Sequence, residues 1–192
     1  TLRGVESHGM ICSAKEIGLP DSKDGIIELD NSIGKYILGQ EVSQNQIFSD
    51  DVIEIELTAN RGDCLSIRGI ARDLSAAFDR VLIEKDVVEN EDKRVGIGRI
   101  LSLSHENNLD VTNRYKALEL KDITLPFVVR LRLLQIEENA KTEIESLMNY
   151  VTHSTGVILR AYDHSFFCSG GEMLAKALLC QDENGFASVM TK

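Results

Sequence analysis

The sequence predicts an α+β fold, and three observations carry that reading. Residues 50–58, DDVIEIELT, alternate apolar and acidic side chains, and a stripe with helical period follows at once over 67–78. Pro126 and Gly156 punctuate two further helical stretches. The chain closes on two apolar runs separated by Asn184-Gly185, the pattern of a β-hairpin.

Composition sets the outer bounds. The 192 residues suffice for one large or two small domains with a core that needs no staples. Hydrophobic residues make up 43% and charged residues 27%, ordinary for a globular chain and unlike a disordered one. The net charge of −10 argues against non-specific nucleic-acid binding by the whole chain and against DNA as a partner, but it leaves room for a local basic patch. Cys12, Cys64, Cys168 and Cys180 form no C-x-x-C pair and have no histidine at zinc-ligand spacing. Free thiols and a cytoplasmic location are expected. The most apolar stretch, LPFVVRLRLLQI, is broken by Arg130 and Arg132, so no membrane span and no membrane partner are expected. TLRGVESHG lacks the apolar core of a signal peptide, and a chain opening on Thr1 is expected to be a piece of a longer polypeptide.

In chain order, residues 1–46 read as short strands and turns, with turn signals at Gly18–Pro20 and Asp24-Gly25. Residues 47–82 read as strand, loop and helix. Ile53, Ile55 and Leu57 share one face of the strand, with Glu54 and Glu56 on the other. Asp63 is the expected N-cap of the helix, whose stripe is Ile67, Ile70, Ala71, Leu74 and Phe78. Residues 83–94, IEKDVVENEDKR, are expected to be a linker. VGIGRILSLS and RYKALELKDITL then alternate as strands do. The G-I-G at 96–98 is no dinucleotide fingerprint, because Leu101 occupies the third glycine position. Pro126 suits a first helical position, with Thr124 upstream as a candidate cap, and FVVRLRLLQI follows as a short helix. Ile144, Leu147, Met148 and Val151 make the stripe of the next helix, ended by Gly156. VILRAYD reads as a buried strand, and EMLAKALLCQDENGFASVMTK, residues 172–192, as the final hairpin with a type I′ turn at Asn184-Gly185.

Most catalytic constellations are missing: there is no P-loop, H-E-x-x-H, G-x-S-x-G or EF-hand spacing. His153 and His164 lack a third ligand at suitable spacing, so no metal site is expected. The acidic groups at 89–92 and 182–183 read as solvated runs. What stands out is ANRGDCLSIRGIARDL, which sets Arg61, Arg68 and Arg72 close together in an acidic chain.

IELTANRGDCLSIRGIARDLSA resembles the β subunit of bacterial phenylalanyl-tRNA synthetases, in which a strand leads into T-P-N-R-x-D and a helix ending R-G-I-A-R-E. LRGVESHGMICSAKEIGL is similar to the end of that subunit's OB-like tRNA-binding module, where S-x-G-M-I-C-S is typical. The two motifs cover about the first eighty residues, with Ala59 where the family has Pro. The remainder is similar in its order: Tyr115, Pro126, LMNYV, VILRAYD and a hairpin follow the family's editing module, which hydrolyses mischarged tyrosine.

The resemblance implies an OB-like, strand-rich remnant over 1–46, a strand–loop–helix connector over 47–82, a linker over 83–94 and an editing-module-like domain over 95–192. That domain would be mixed α/β, with β-sandwich-type sheets and two short helices, and incomplete at its C-terminus. It further implies a fragment of phenylalanine–tRNA ligase, an ATP-dependent enzyme of protein biosynthesis. Its partners would be tRNA and the α subunit of a heterotetramer. ATP and Mg²⁺ belong to the intact enzyme, and no cofactor is expected in this fragment.

The resemblance fails at two chemical positions. Met148 replaces the family's Thr before Asn-Tyr, and Arg160 replaces the His of Q-P-L-H. Met donates no hydrogen bond, and Arg stays cationic and cannot serve as a base. Asn149, Arg160 and Asp163 are the editing-pocket candidates, with no residue assigned as catalytic. The expected Tyr-tRNA hydrolysis is weak or lost, and the isolated fragment is expected to be inactive. The alternative is a non-enzymatic RNA- or protein-binding module that retains the fold. Arg61, Arg68 and Arg72 are tRNA-binding candidates. Against that stands a structural role, in which Arg61 and Asp63 brace the loop while Arg68 and Arg72 pair with Asp73, Glu54 or Glu56.

Overall fold

The computed structural model describes residues 3–6, 11–17, 25–83, 97–106, 114–138, 140, 142–183 and 187–191. The α+β expectation holds: the described residues contain three α-helices and one three-stranded sheet. They group into two compact units. The first comprises residues 1–83 and 123–160, and the second 84–122 and 161–192. The expected single domain over 95–192 differs from this grouping, since 123–160 packs with the N-terminal residues. All but Ile83 of the expected linker at 83–94 lies outside the described residues.

In the first unit, helix α1 spans Ile67–Ala77, α2 Phe127–Gln135 and α3 Glu143–Thr155. The core joins Ile33, Phe127 and Leu131, with Ile27, Leu29, Ile47 and Phe48 packed against them. The Phe48 and Phe127 rings lie 5.9 Å apart and tilted. Helix α2 begins after Pro126, which has extended backbone and no side-chain acceptor to cap the helix. Thr124 is not the cap. The Asp30 carboxylate accepts from the Phe127 amide at 2.8 Å, and the Ser32 hydroxyl accepts from the Val128 amide at 3.0 Å. Two of the four orphan amides of the helix are thereby satisfied by residues about a hundred positions earlier in the chain. Asp30 also accepts from the Ser32 amide and so caps a one-turn 3-10 helix, Asn31–Ile33. Helix α3 packs against α1 and α2. Thr142 caps it by accepting from the Glu145 amide at 3.1 Å. Gly156 ends it in the left-handed conformation, φ 79°, as expected.

The strands expected at 50–58 and in VILRAYD are absent. Residues 50–58 form no ladder, and Ile53 is 77% exposed. Residues 157–163 are likewise irregular, with Ile158 78% exposed. Alternation assigns side chains to faces, but a strand also needs a neighbour's amides and carbonyls. No described residue supplies them to either segment. Among the described residues of 1–46 no strand ladder forms: Ser13 and Ile26 make an isolated antiparallel bridge, among 3-10 turns. The signals at Gly18–Pro20 and Asp24 lie outside the described residues.

The second unit is built on β1 (Leu101–His105), β2 (Ala175–Gln181) and β3 (Ala187–Thr191), in that spatial order. β1 runs parallel to β2, with Leu103 opposite Ala177. β2 and β3 pair antiparallel, with Leu179 opposite Val189, which is the expected hairpin. Its turn at Asn184-Gly185 lies outside the described residues. Ala175, Ala177 and Leu179 face the core at period two, and Phe167 covers the first two. Residues 114–122 form no strand, and no second sheet faces this one among the described residues, so the expected sandwich is not seen.

The double role of Asp30 has a measurable consequence. Hydrogen bonds, first to Ser32 and then to the Phe127 amide, hold its pKa below the ordinary value of 3.8. A carboxylate depressed on folding contributes stability that is present above its unfolded pKa and is lost as pH falls through the folded one. Urea unfolding should therefore show wild type losing midpoint below about pH 4. Asp30→Asn should start lower at pH 7 and lose less on acidification, so the two curves converge.

Candidate functional site

Arg61 closes the loop that precedes α1. Its Nε donates to Asp63 Oδ1 at 3.0 Å and its Nη2 to Asp63 Oδ2 at 3.1 Å, a bidentate pair. The same Nη2 reaches Asp73 Oδ1 at 2.7 Å, on the second turn of α1, and Cys64 Sγ at 2.8 Å. One guanidinium thus ties the loop to the helix behind it. These carboxylates, Asp63 first, push the Arg61 pKa up, while Arg61 holds Asp63 below the usual carboxylate range. Cys64 is buried, and that burial raises its thiol pKa.

Asp63 is therefore an ion-pair partner rather than the N-cap of α1. The cap is Ser66, whose hydroxyl accepts from the Gly69 amide at 3.0 Å. Residues Gly62–Cys64 form a separate 3-10 turn. The helix must pass very close to that turn. A Cβ built on Gly69 would lie 2.0 Å from the Asp63 carbonyl oxygen and 2.9 Å from Cys64 Cα. The glycine of the R-G-I-A-R stretch is required by this approach, a role that sequence pattern alone does not disclose. Gly156 makes a similar approach at the other end of the contact, where its added Cβ would stand 3.0 Å from the Ser66 hydroxyl.

The three arginines thus part company. Arg61 is consumed by the brace. Arg68 and Arg72 are exposed on α1. Asp73, offered from sequence as a partner for them, is instead held by Arg61. Arg72 has no ion pair among the described residues. The apolar stripe of α1 is only partly covered: Ile70 and Ala71 are half-buried, whereas Phe78 is 69% exposed.

The editing-pocket candidates fall in both units. Asn149 lies on α3, beside Met148 on the same half-buried helix. Its Nδ2 donates to Glu138 Oε1 at 2.6 Å, and the other oxygen of Glu138 lies 3.6 Å from His153 Nε2. Arg160, at the end of the first unit, is exposed and shares no hydrogen bond or ion pair with Asn149. Asp163 belongs to the second unit. It caps the 3-10 turn His164–Phe167 by accepting from the Ser165 hydroxyl at 2.6 Å and from the Ser165 amide at 2.8 Å. Both bonds, the hydroxyl first, hold its pKa below the ordinary value. Asn149 and Asp163 are thus engaged in local structure. Among the described residues, no group of three or more His, Cys, Asp or Glu side chains could hold a metal ion.

Comparison with known proteins gives a consistent result. No family model matches the chain. It is 70% identical over all 192 residues to the phenylalanine–tRNA ligase β subunit of Sulfurimonas denitrificans, covering 25% of that protein. It is 49% identical over 172 residues to the corresponding subunit of Campylobacter jejuni, with 89% of this chain and 22% of the relative aligned. It is 40% identical over 193 aligned residues to that of Wolinella succinogenes, with 98% of this chain and 25% of the relative aligned. The chain spans about a quarter of the length of the curated relatives it matches.

The close approach at Gly69 makes a sharp prediction. Gly69→Ala forces backbone apart and should cost about 1–3 kcal/mol, the range for overpacking. Gly62→Ala, where an added Cβ meets nothing within 4 Å, should be neutral or slightly stabilising. Paired denaturant titrations of the two variants check the contrast.

Proposed function

Because the chain belongs to the β-subunit family of phenylalanine–tRNA ligases, we propose that it serves as part of an enzyme that charges tRNA with phenylalanine in the cytoplasm. The 70% identity over all 192 residues of this chain to a quarter of one such subunit carries this reading. Its role is structural and tRNA-binding, within an assembly that includes the α subunit. ATP and Mg²⁺ act elsewhere in that assembly.

We further propose that Tyr-tRNA hydrolysis by this segment is weak or lost. A pocket for phenylalanine rejects an analogue that adds only a hydroxyl by about 10², which is why a second, hydrolytic sieve is useful. Such a sieve needs an oriented water and a stabilised oxyanion. Met148 and Arg160 supply no base, the Asn149 amide is bonded to Glu138, and Asp163 is bonded to Ser165. Tyr-tRNA for phenylalanine, incubated with the intact parent ligase, should lose tyrosine no faster than in buffer. Rapid enzyme-dependent release would overturn the proposal.

For the arginines, Arg61 is a brace, and Arg68 and Arg72 remain on the exposed face of α1. We assign Arg72 as the phosphate contact, since its guanidinium is not committed among the described residues. In the intact ligase, Arg72→Ala should weaken tRNA binding about tenfold and reduce the salt slope by about one. An unchanged affinity with an unchanged slope would leave Arg72 a solvated side chain.

A further inference from the structure

Residues 50–58 are held at both ends and bonded to nothing in between. At one end the Asp50 carboxylate pairs with Arg132 of α2 and accepts from the Asp51 amide at 3.0 Å. At the other, the Thr58 carbonyl accepts from the Arg61 amide at 2.9 Å, and the Thr58 hydroxyl donates to Asn60 Oδ1 at 2.7 Å. Arg61 is itself fixed to α1 through Asp73. Across 52–57, no backbone amide or carbonyl has a hydrogen-bond partner among the described residues. Val52, Ile53 and Ile55 are each at least half exposed. Glu54 and Glu56 form no ion pair with a described residue.

An alternating sequence with free main-chain groups along its length is a template for strand addition. Charge, size and chain length choose the occupant. Residues 50–58 hold four carboxylates and no cation. Pairing with a second copy would gather like charges along one ladder, whereas a strand with lysine at alternate positions would set an ammonium opposite each glutamate. Six residues span about 20 Å. An edge that short falls well below the roughly 1,200 Å² that a stable contact between separate proteins buries. A strand tethered in the same polypeptide escapes that requirement, because its loop-closure cost grows only slowly with length. The family has such chain to supply: this chain matches only 25% of the Sulfurimonas denitrificans subunit.

We propose that residues 52–57 are a docking edge for a lysine-bearing β-strand supplied by the parent β subunit from outside these 192 residues. The incoming main chain takes up the free amides and carbonyls. Its apolar side chains cover Ile53 and Ile55, and its lysines meet Glu54 and Glu56. The anchors at Asp50 and Thr58 fix the ends of the segment in advance, which lowers the ordering cost of docking. The inference rests on family membership and not on the charging of tRNA, and neither readout below depends on activity.

The first test is amide hydrogen exchange, measured without tRNA on this chain and on the intact parent ligase. The amides of 52–57 should exchange at nearly unstructured-peptide rates in this chain and at least a hundredfold more slowly in the ligase. Fast exchange in both would overturn the proposal. Slow exchange in both would also overturn it, since the edge would then be filled within this chain or by a second copy. The second test is carbodiimide cross-linking of the intact ligase, which joins a carboxylate to a lysine in contact with it. Peptide mapping should find Glu54 or Glu56 linked to a lysine of the same β polypeptide beyond these residues. A link to the α subunit, or no link from either glutamate, would overturn the assignment of the occupant.

Discussion

The first unit depends on one carboxylate. Helix α2 enters behind Pro126, so no side chain at its own N-terminus caps its first amides, yet its first residue, Phe127, is also the centre of the apolar core. A buried helix end without acceptors is costly. Asp30, with Ser32, meets that need from a distant part of the chain, and by doing so places Ile33 against Phe127 and Leu131. Polar satisfaction and apolar packing are therefore the same contact seen from two sides. The Arg132–Asp50 ion pair repeats the logic further along α2, joining it to the segment that leads toward α1.

Around α1 a second constraint operates, steric rather than electrostatic. The Gly62–Cys64 turn and the helix approach so closely that only glycine fits at position 69. Arg61 then spans the gap between the turn and Asp73. This changes the meaning of the arginine cluster. A guanidinium that already makes bidentate contact with one carboxylate and reaches a second has its donors largely spent. Close spacing in sequence hid a difference in position: Arg61 braces the loop, whereas Arg68 and Arg72 lie on the exposed side of α1.

Helices were far more legible in the sequence than strands. The stripe Ile144, Leu147, Met148 and Val151 and the terminal Gly156 sufficed for α3, because a helix satisfies its own backbone and its signals are local. The β2–β3 hairpin was legible for the same reason, its two strands being neighbours in the chain. The parallel pairing of β1 with β2 had no local signal, since Leu101 and Ala175 are joined by a long connection. DDVIEIELT illustrates the reverse error: a strong alternating pattern with no partner strand among the described residues. At the site, the Arg61–Asp63 pair was readable from spacing, but the Ser66 cap and the demand for Gly69 were not. Both arise from the path of the loop, which residue types do not encode directly.

The same distinction between residue identity and residue engagement bears on hydrolysis. Reading by resemblance, Asn149 and Asp163 are the retained members of an editing pocket, and retention invites a functional interpretation. Each, however, already has a partner that accounts for its presence. Asn149 ties α3 to Glu138 in the α2–α3 connection, with His153 on the far side of that carboxylate. Asp163 stops the backbone from continuing irregularly into the Ser165 turn. A group already bonded to its own fold orients a water only by giving up those bonds, and the broken contacts then count against the transition state it would stabilise. The two substituted positions compound the difficulty: the aliphatic thioether of Met148 and the permanent charge of Arg160 offer no lone pair basic enough to take a proton from water. On the proposal that the sieve is weak or lost in this segment, two substitutions and two prior commitments act together.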